Sequence, residues 1–241
     1  MYYRVRLTTK VNHKKLKKGS GIIAIETDDY SKSEILAIKK KGYTVLGYLS
    51  VGTIEKERPW YKECKRFALK RLEDWPNECY ADCREDGWMA FLYRRANDLK
   101  RKGVDGLWCD NLDVYEYYKS EDMLMSLIEI LKTFKAMFSY VMVNGGKKFF
   151  EEAPHIDVLV DGVTQEEVFS RITNYSGKGK FGKQFKEESK KYKAYMKELH
   201  KIGVDTFLLE YTTDSELKKK IKDFVKTYDL TGWCISRKVN L

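Results

Sequence analysis

What most constrains this chain is an alternation: eight short, β-rich apolar runs are separated by longer segments of helical periodicity. The runs are Tyr3–Leu7, Ile22–Glu26, Val45–Ser50, Asp105–Asp110, Tyr140–Asn144, Ile156–Asp161, Asp205–Tyr211 and Gly232–Ser236. Apolar runs of this length suit strands buried on both faces, as in a parallel sheet. Parallel neighbours need a long crossover, usually a helix. The intervening segments supply it. Glu34–Lys41 can be capped by Ser31 or Ser33 and stops at Gly42, and Gly87–Lys102 stops at Gly103. Asp122–Phe138, Lys186–Lys201 and Ser215–Thr227 also carry apolar residues three and four apart. In Lys186–Lys201 the stripe Tyr192, Tyr195, Met196 and Leu199 reads at that spacing as a core-facing stripe, not a sugar-binding strip.

Eight such repeats predict an α/β fold, a (β/α)8 TIM barrel formed by one domain over residues 1–241. Hydrophobic residues make up 43% of the chain, enough for a large core, and the 3 prolines mark no linker. Pattern alone also permits an open doubly wound sheet. Such sheets commonly hold nucleotides on glycine-rich loops, and neither G-x-G-x-x-G nor G-x-x-x-x-G-K-[ST] follows a strand here.

The formal charge is +10, but the lysines are spread through helical segments beside glutamates, as on a solvated surface. No RNA-recognition, KH or zinc-finger pattern accompanies them, so no nucleic-acid partner is expected. The five cysteines, Cys64, Cys79, Cys83, Cys109 and Cys234, contain no Cys-x-x-Cys. Cys109 and Cys234 read as small buried hydrophobes. Cys79 and Cys83 are close enough in sequence for a disulfide without implying one. His13, His155 and His200 stand apart from one another and from any cysteine pair. We therefore expect no metal site and no cofactor. Met1-Tyr-Tyr-Arg-Val-Arg-Leu lacks the apolar run of a signal peptide, and no stretch reaches the ~20 apolar residues that span a bilayer. As written the chain reads as a cytoplasmic monomer without membrane association, or as a secreted one if a leader precedes it.

Two long stretches interrupt the alternation, Thr53–Asp86 after the third run and Gly162–Phe185 after the sixth. Both leave the C-terminal ends of strands, the face on which barrels carry their sites. Acids and amides gather at the same ends: Glu26 with Asp28 and Asp29, Ser50 with Glu55, Asp110-Asn111-x-Asp113, Asn144, Asp161 with Glu166 and Glu167, and Glu210. Alternation along a strand places Trp108 with Asp110, opposite Cys109, and Thr206 with Leu208 and Glu210. The simplest arrangement turns Asp110 and Glu210 inward. A mouth of carboxylates without histidines suits glycoside hydrolysis by two acids. It also suits hard-cation chemistry. A non-catalytic carbohydrate-binding barrel would use the same amides and aromatics. Taken singly, each acid is as readily a helix cap. Asp110 stands out because it ends a buried strand inside an Asp-Asn-x-Asp run.

The segments Gly47-Tyr-Leu-Ser-Val-Gly52, Asp105-Gly-Leu-Trp-Cys-Asp-Asn-Leu-Asp113, Asp161-Gly-Val-Thr-Gln-Glu166 and Leu209-Glu-Tyr211 resemble those of glycoside hydrolase family 114. The resemblance follows the strand order over nearly the whole chain. It implies a (β/α)8 barrel with endo-α-1,4-polygalactosaminidase activity and a polysaccharide or oligosaccharide substrate. By position it implies Asp110 as nucleophile and Glu166 as general acid/base, with Glu167 the competing neighbour. It also implies sugar contacts from Tyr48, Ser50, Asn111, Asp113, Asn144, Glu210 and Tyr211. The family pattern after Asp-Gly-Val runs Glu, a small residue and Leu-Phe, whereas this chain has Glu166-Glu167-Val168-Phe169. A polycationic substrate is poorly attracted by a +10 protein. Glu26, Asp113 and Glu210 are therefore the expected short-range partners of sugar amines, unless the glycan is neutral or N-acetylated.

Overall fold

The computed structural model describes residues 1–175 and 179–239. Eight parallel strands close into a barrel: Tyr2–Arg6, Gly21–Ile25, Tyr43–Ser50, Gly106–Asp110, Tyr140–Asn144, Gly162–Glu166, Asp205–Tyr211 and Gly232–Ser236, here strands one to eight. Each pairs with its neighbours in chain order, and strand one closes on strand eight through Tyr2 and Trp233. The open-sheet alternative is thereby set aside.

Side-chain alternation sorts the strands into two cores. Ile23, Val45, Leu107, Cys109, Val141, Val143 and Leu208 point outward, into the layer between sheet and helices. Tyr3, Val5, Ile22, Ala24, Leu46, Trp108, Met142, Phe207, Leu209 and Cys234 fill the interior. All five cysteines are buried and free. In the interior Trp108 Nε1 donates to Tyr3 Oη (2.8 Å), which lies 2.7 Å from Thr164 Oγ1. Thr164 in turn faces the Met142 sulfur at 3.1 Å. These groups are buried, so the chain of bonds offsets a desolvation cost of about 1–3 kcal/mol for each polar group. It also forms a floor one pleat below the barrel mouth.

The helices begin and end where local chemistry directs. Ser31 caps Lys32–Lys39 in a full capping box with Glu34. Asp86–Lys102 stops at Gly103, whose left-handed backbone (φ 96°) suits glycine. In Lys186–Lys201 Met196 and Leu199 are buried, with Tyr192 and Tyr195 packed against the same core.

Strand six departs from expectation. Ile156–Asp161 is not a strand, since Ile156–Leu159 forms one helical turn entered through His155 in the left-handed region (φ 52°). The strand is the next segment, Gly162–Glu166. Its polar Thr164 and Gln165 disguise it, but Thr164 is satisfied inside the barrel. Glu166 consequently ends a strand and does not lie in a loop. The stretch expected to be one insertion is therefore a barrel strand followed by the hairpin Ser170–Asn174 with Lys180–Lys183. The stretch after strand three forms a small antiparallel sheet in which Glu78–Ala81 lies between Thr53–Glu55 and Ala68–Arg71.

Candidate active site

Strands four to seven end in one ring of inward side chains. Asp110, Asn144 and Glu166 each sit two residues beyond a member of the interior floor, Trp108, Met142 and Thr164, and so inherit its inward direction. Tyr211 lies two beyond Leu209 and joins them. Asn144 Nδ2 donates to Asp110 Oδ1 (3.0 Å) and to Glu166 Oε1 (2.7 Å). One nitrogen thus holds both carboxyl groups, and their bonded oxygens are no farther apart than those two lengths together. Tyr211 Oη donates to the other Glu166 oxygen at 2.5 Å, and the Asn111 backbone N–H donates to Asp110 Oδ1 at 2.9 Å.

Burial is the largest influence on both acids. It pushes Asp110 up to about 7, with the Glu166 charge adding to the rise. It pushes Glu166 to about 7 as well, against the lowering effect of the Tyr211 and Asn144 bonds. Two acids this close do not ionise independently, and the loss of the first proton makes the second harder to remove. Near neutrality the pair therefore offers one carboxylate and one carboxylic acid.

The remaining predicted residues divide. Ser50 and Asn111 join a hydroxyl–amide cluster with Thr53 beside Asp110. Tyr48 lies inside the mouth, its hydroxyl donating to Glu55 (3.3 Å). Asp113 is exposed at the rim and accepts from the Gly146 N–H (3.2 Å). Glu26 is tied to Arg58 (2.7 Å). Arg58 also grips Glu55 (2.6 Å) and lies over the Tyr48 and Trp60 rings. A tight cleft lined by Glu26, Tyr48, Ser50, Glu55, Arg58 and Trp60 adjoins the carboxyl pair without including it.

Glu210 does not enter the mouth. Strand seven turns Phe207, Leu209 and Tyr211 inward, the reverse of the expected parity. The ring of Phe207 packs on Tyr3, with centroids 4.7 Å apart. Glu210 is completely buried on the outer face. It accepts from the backbone N–H groups of Phe169 (2.9 Å) and Ser170 (2.8 Å) and from the Ser170 hydroxyl. Glu167 is likewise occupied outside the pair. Its backbone is left-handed (φ 58°) and its carboxylate accepts from the Ile172 N–H. Of the three acids expected to meet sugar amines, Asp113 alone is exposed.

Glu78, Thr53 and Arg58 also belong to this region, though no sequence motif marks them. Their one signal was position, inside the long stretch after strand three. Tyr80 of that stretch meets Tyr117 at 4.8 Å, and Tyr117 is 65% exposed. Trp75 meets Tyr175, from the stretch after strand six, edge-on at 5.5 Å. Among the described residues no group of three or more His, Cys, Asp or Glu could hold a metal ion, and no helix is long and apolar enough to cross a membrane.

With this geometry in view, the chain matches the model of glycoside-hydrolase family GH114 over residues 4–238. It belongs to that family. A protein of Methanocaldococcus jannaschii is 22% identical to this GH114 chain over 224 residues, covering 83% of the chain and 62% of that protein. One of Thermotoga maritima is 21% identical over 104 residues, covering 41% and 32%. The chain thus spans less than two thirds of the length of either relative. Among solved structures, the glycoside hydrolase domain of PelA from Pseudomonas aeruginosa superposes with a TM-score of 0.80 at 17% identity, covering 99% of this chain and 96% of that one. Ega3 of Aspergillus fumigatus, in complex with galactosamine, gives 0.75 at 17% identity, covering 99% and 91%. At these identities the likeness is one of fold. The GH114 fold places the ring of Asp110, Asn144, Glu166 and Tyr211 at the strand ends where barrel enzymes carry their chemistry.

Proposed function

We propose that this GH114 glycosidase is an endo-acting hydrolase of an α-1,4-linked galactosamine- or N-acetylgalactosamine-containing polysaccharide, and that it works with retention. The observation that carries the reading is the single Asn144 amide bonded to both Asp110 and Glu166. Inverting pairs stand roughly 6.5–9.5 Å apart to admit a water, whereas retaining pairs stand at about 5–5.5 Å. Two oxygens on one nitrogen, at 3.0 and 2.7 Å, fit the shorter spacing. Asp110 attacks the anomeric carbon as Glu166 gives its proton to the leaving glycosidic oxygen. Glu166 then takes a proton from the water that releases the sugar from Asp110. The Glu166 side chain faces the mouth and Glu167 does not, which favours Glu166 as the acid/base.

The galactosamine in the Ega3 complex supports the choice of sugar. So does the local excess of acid around Asp110, in contrast to the +10 surface. Tyr117, exposed and packed on the half-buried Tyr80, offers a ring face for sugar stacking.

The test is product release from partially de-N-acetylated α-1,4-polygalactosamine, read by mass spectrometry, with the wild type beside Asp110→Asn. Oligosaccharides from the wild type alone, with the anomeric configuration conserved by NMR, are expected. Binding without products from the wild type would move the assignment to a carbohydrate-binding barrel.

A further inference from the structure

We propose that Glu78, contributed by the small sheet after strand three, is a positioning residue for Asp110 that acts through Thr53 and Asn111. The proposal rests on the glycosidase reading above for its kinetic consequence, but not for its structural one.

The route is a matter of counting protons. Glu78 Oε2 accepts from Thr53 Oγ1 at 2.8 Å. A hydroxyl has one proton, so Thr53 Oγ1 can only accept from its other neighbours. Those are Asn111 Nδ2 at 3.0 Å and Ser50 Oγ at 2.7 Å, whose one proton is shared with the Thr53 carbonyl oxygen at 3.1 Å. Asn111 Nδ2 also donates to Ser50 Oγ at 3.0 Å. The charge on Glu78 therefore dictates which way the Asn111 amide faces, with its NH2 group toward the two hydroxyls.

Asn111 is an unusual link. Its backbone is left-handed (φ 66°), a conformation that asparagine tolerates better than most residues. Gly52 lies against it, and a Cβ there would come within 1.9 Å of the Asn111 carbonyl oxygen. In this pose the Asn111 N–H donates to Asp110 Oδ1. Anchoring the amide thus anchors the donor that orients the nucleophile.

The charge on Glu78 is not matched by an ion pair among the described residues. Glu78 lies directly opposite Glu55 across the antiparallel pair, an arrangement that like charges disfavour. Arg58 is committed to Glu55 and Glu26. Burial, with the charges of Glu55 and Asp110, pushes Glu78 up to about 7. Facing Asp110 are Glu166, Asp113, Asn144 and the Tyr48 hydroxyl. Once Glu78 is protonated it can donate to Thr53. The Thr53 proton is then free to turn toward Asn111, and the amide is no longer constrained.

Two near-isosteric variants separate the charge from the route. Glu78→Gln keeps an acceptor for Thr53 but removes the charge, and Thr53→Val cuts the link but keeps the charge. Titration of the Asp110 carboxyl by 13C NMR, assigned with Asp110→Asn, needs no substrate. In Glu78→Gln the Asp110 midpoint is expected to fall by about half a pH unit. The acidic limb of kcat/KM on a galactosamine oligomer should move down with it. In Thr53→Val the Asp110 midpoint should not fall, kcat should drop about tenfold with KM little changed, and the Asn111 side-chain amide signals should shift. An unmoved Asp110 midpoint in Glu78→Gln overturns the proposal. So does wild-type Asn111 amide behaviour in Thr53→Val. A wild type that cleaves nothing, yet shows both NMR effects, would remove the glycosidase reading and leave the positioning role standing.

Discussion

Strands six and seven lie side by side in the barrel, and each carries a glutamate near its end that burial pushes up to about 7. Glu166 turns inward, and its donors are the side chains of Asn144 and Tyr211, at a mouth that water reaches. Glu210 turns outward, and its carboxylate is filled by two backbone N–H groups and the Ser170 hydroxyl. The Ser170 hydroxyl also accepts from the Tyr211 N–H at 2.8 Å, pinning the start of the hairpin to strand seven. An elevated carboxyl alone therefore does not identify a working acid. What separates the two is the identity of the donors. Side-chain donors at an open mouth can be exchanged for substrate, whereas donors buried on the outer face are out of its reach.

The largest expected contrast is in turnover. Asp110→Asn should lower kcat by about 10⁴ or more, because no carboxylate remains to form the glycosyl intermediate. Glu166→Gln should cost about 10²–10⁴, most on substrates with poor leaving groups, because protonation of the leaving oxygen is lost. Both should fold with wild-type circular dichroism. Mild and equal losses from the two would sink the assignment.

Glu210→Ala should act the other way round. It strands the Phe169 and Ser170 N–H groups in a buried position, at about 1–3 kcal/mol for each unsatisfied group. We expect roughly 2–4 kcal/mol of lost stability in urea unfolding. Turnover should fall only as far as the hairpin loosens. A Glu210→Ala protein of wild-type stability that no longer turns over would reverse the comparison.

A smaller difference lies in the pH dependence of stability. A carboxyl raised from 3.8 to about 7 in the folded state binds its proton more tightly there than in the unfolded chain. Stability should therefore fall as pH rises from about 4 to about 7 and stay low above that. Asp110→Asn removes this loss. The variant should be more stable than the wild type at pH 8, by on the order of 1 kcal/mol after allowance for the partial exposure of Asp110. The gap should close by pH 4. Thermal unfolding at the two pH values checks it, and a gap independent of pH would show that Asp110 is not strained by its ionisation.

Much of this was legible in the chain itself, and the parts that were not share a cause. The eight-fold alternation, the helix stop at Gly103, and the inward Asp110 follow from period and composition. Strand six was obscured because Ile156-Asp-Val-Leu-Val looks more strand-like than Gly162-Val-Thr-Gln-Glu, and only the Tyr3 hydroxyl across the barrel makes Thr164 acceptable inside. The parity of strand seven was undetermined because both of its faces are apolar. Thr206-x-Leu208 and Phe207-x-Leu209 each suit a core, and the packing of Phe207 against Tyr3 inside the barrel decides. Glu78 was invisible for the same reason. Its significance lies in a hydroxyl, Thr53, that reaches it only after an antiparallel sheet has formed.

The finest test of the comparison between the two glutamates is Tyr211→Phe. The Tyr211 hydroxyl donates to Glu166 and so favours its ionised form, holding the acid below where burial alone would place it. Removing the hydroxyl should raise Glu166, and the basic limb of the kcat/KM profile, which requires Glu166 to keep its proton, should move to higher pH. The rate at the optimum should fall by less than about tenfold, since the lost bond is worth roughly 1 kcal/mol and Asn144 still holds Glu166. Glu210 makes no side-chain bond to Tyr211, so the unfolding free energy should change by only a few tenths of a kcal/mol beyond the loss of one buried hydroxyl bond. A basic limb that stays in place would mean that Glu166 is not the group that titrates there. The acid would then have to be sought outside the ring, with the exposed Asp113 next in line.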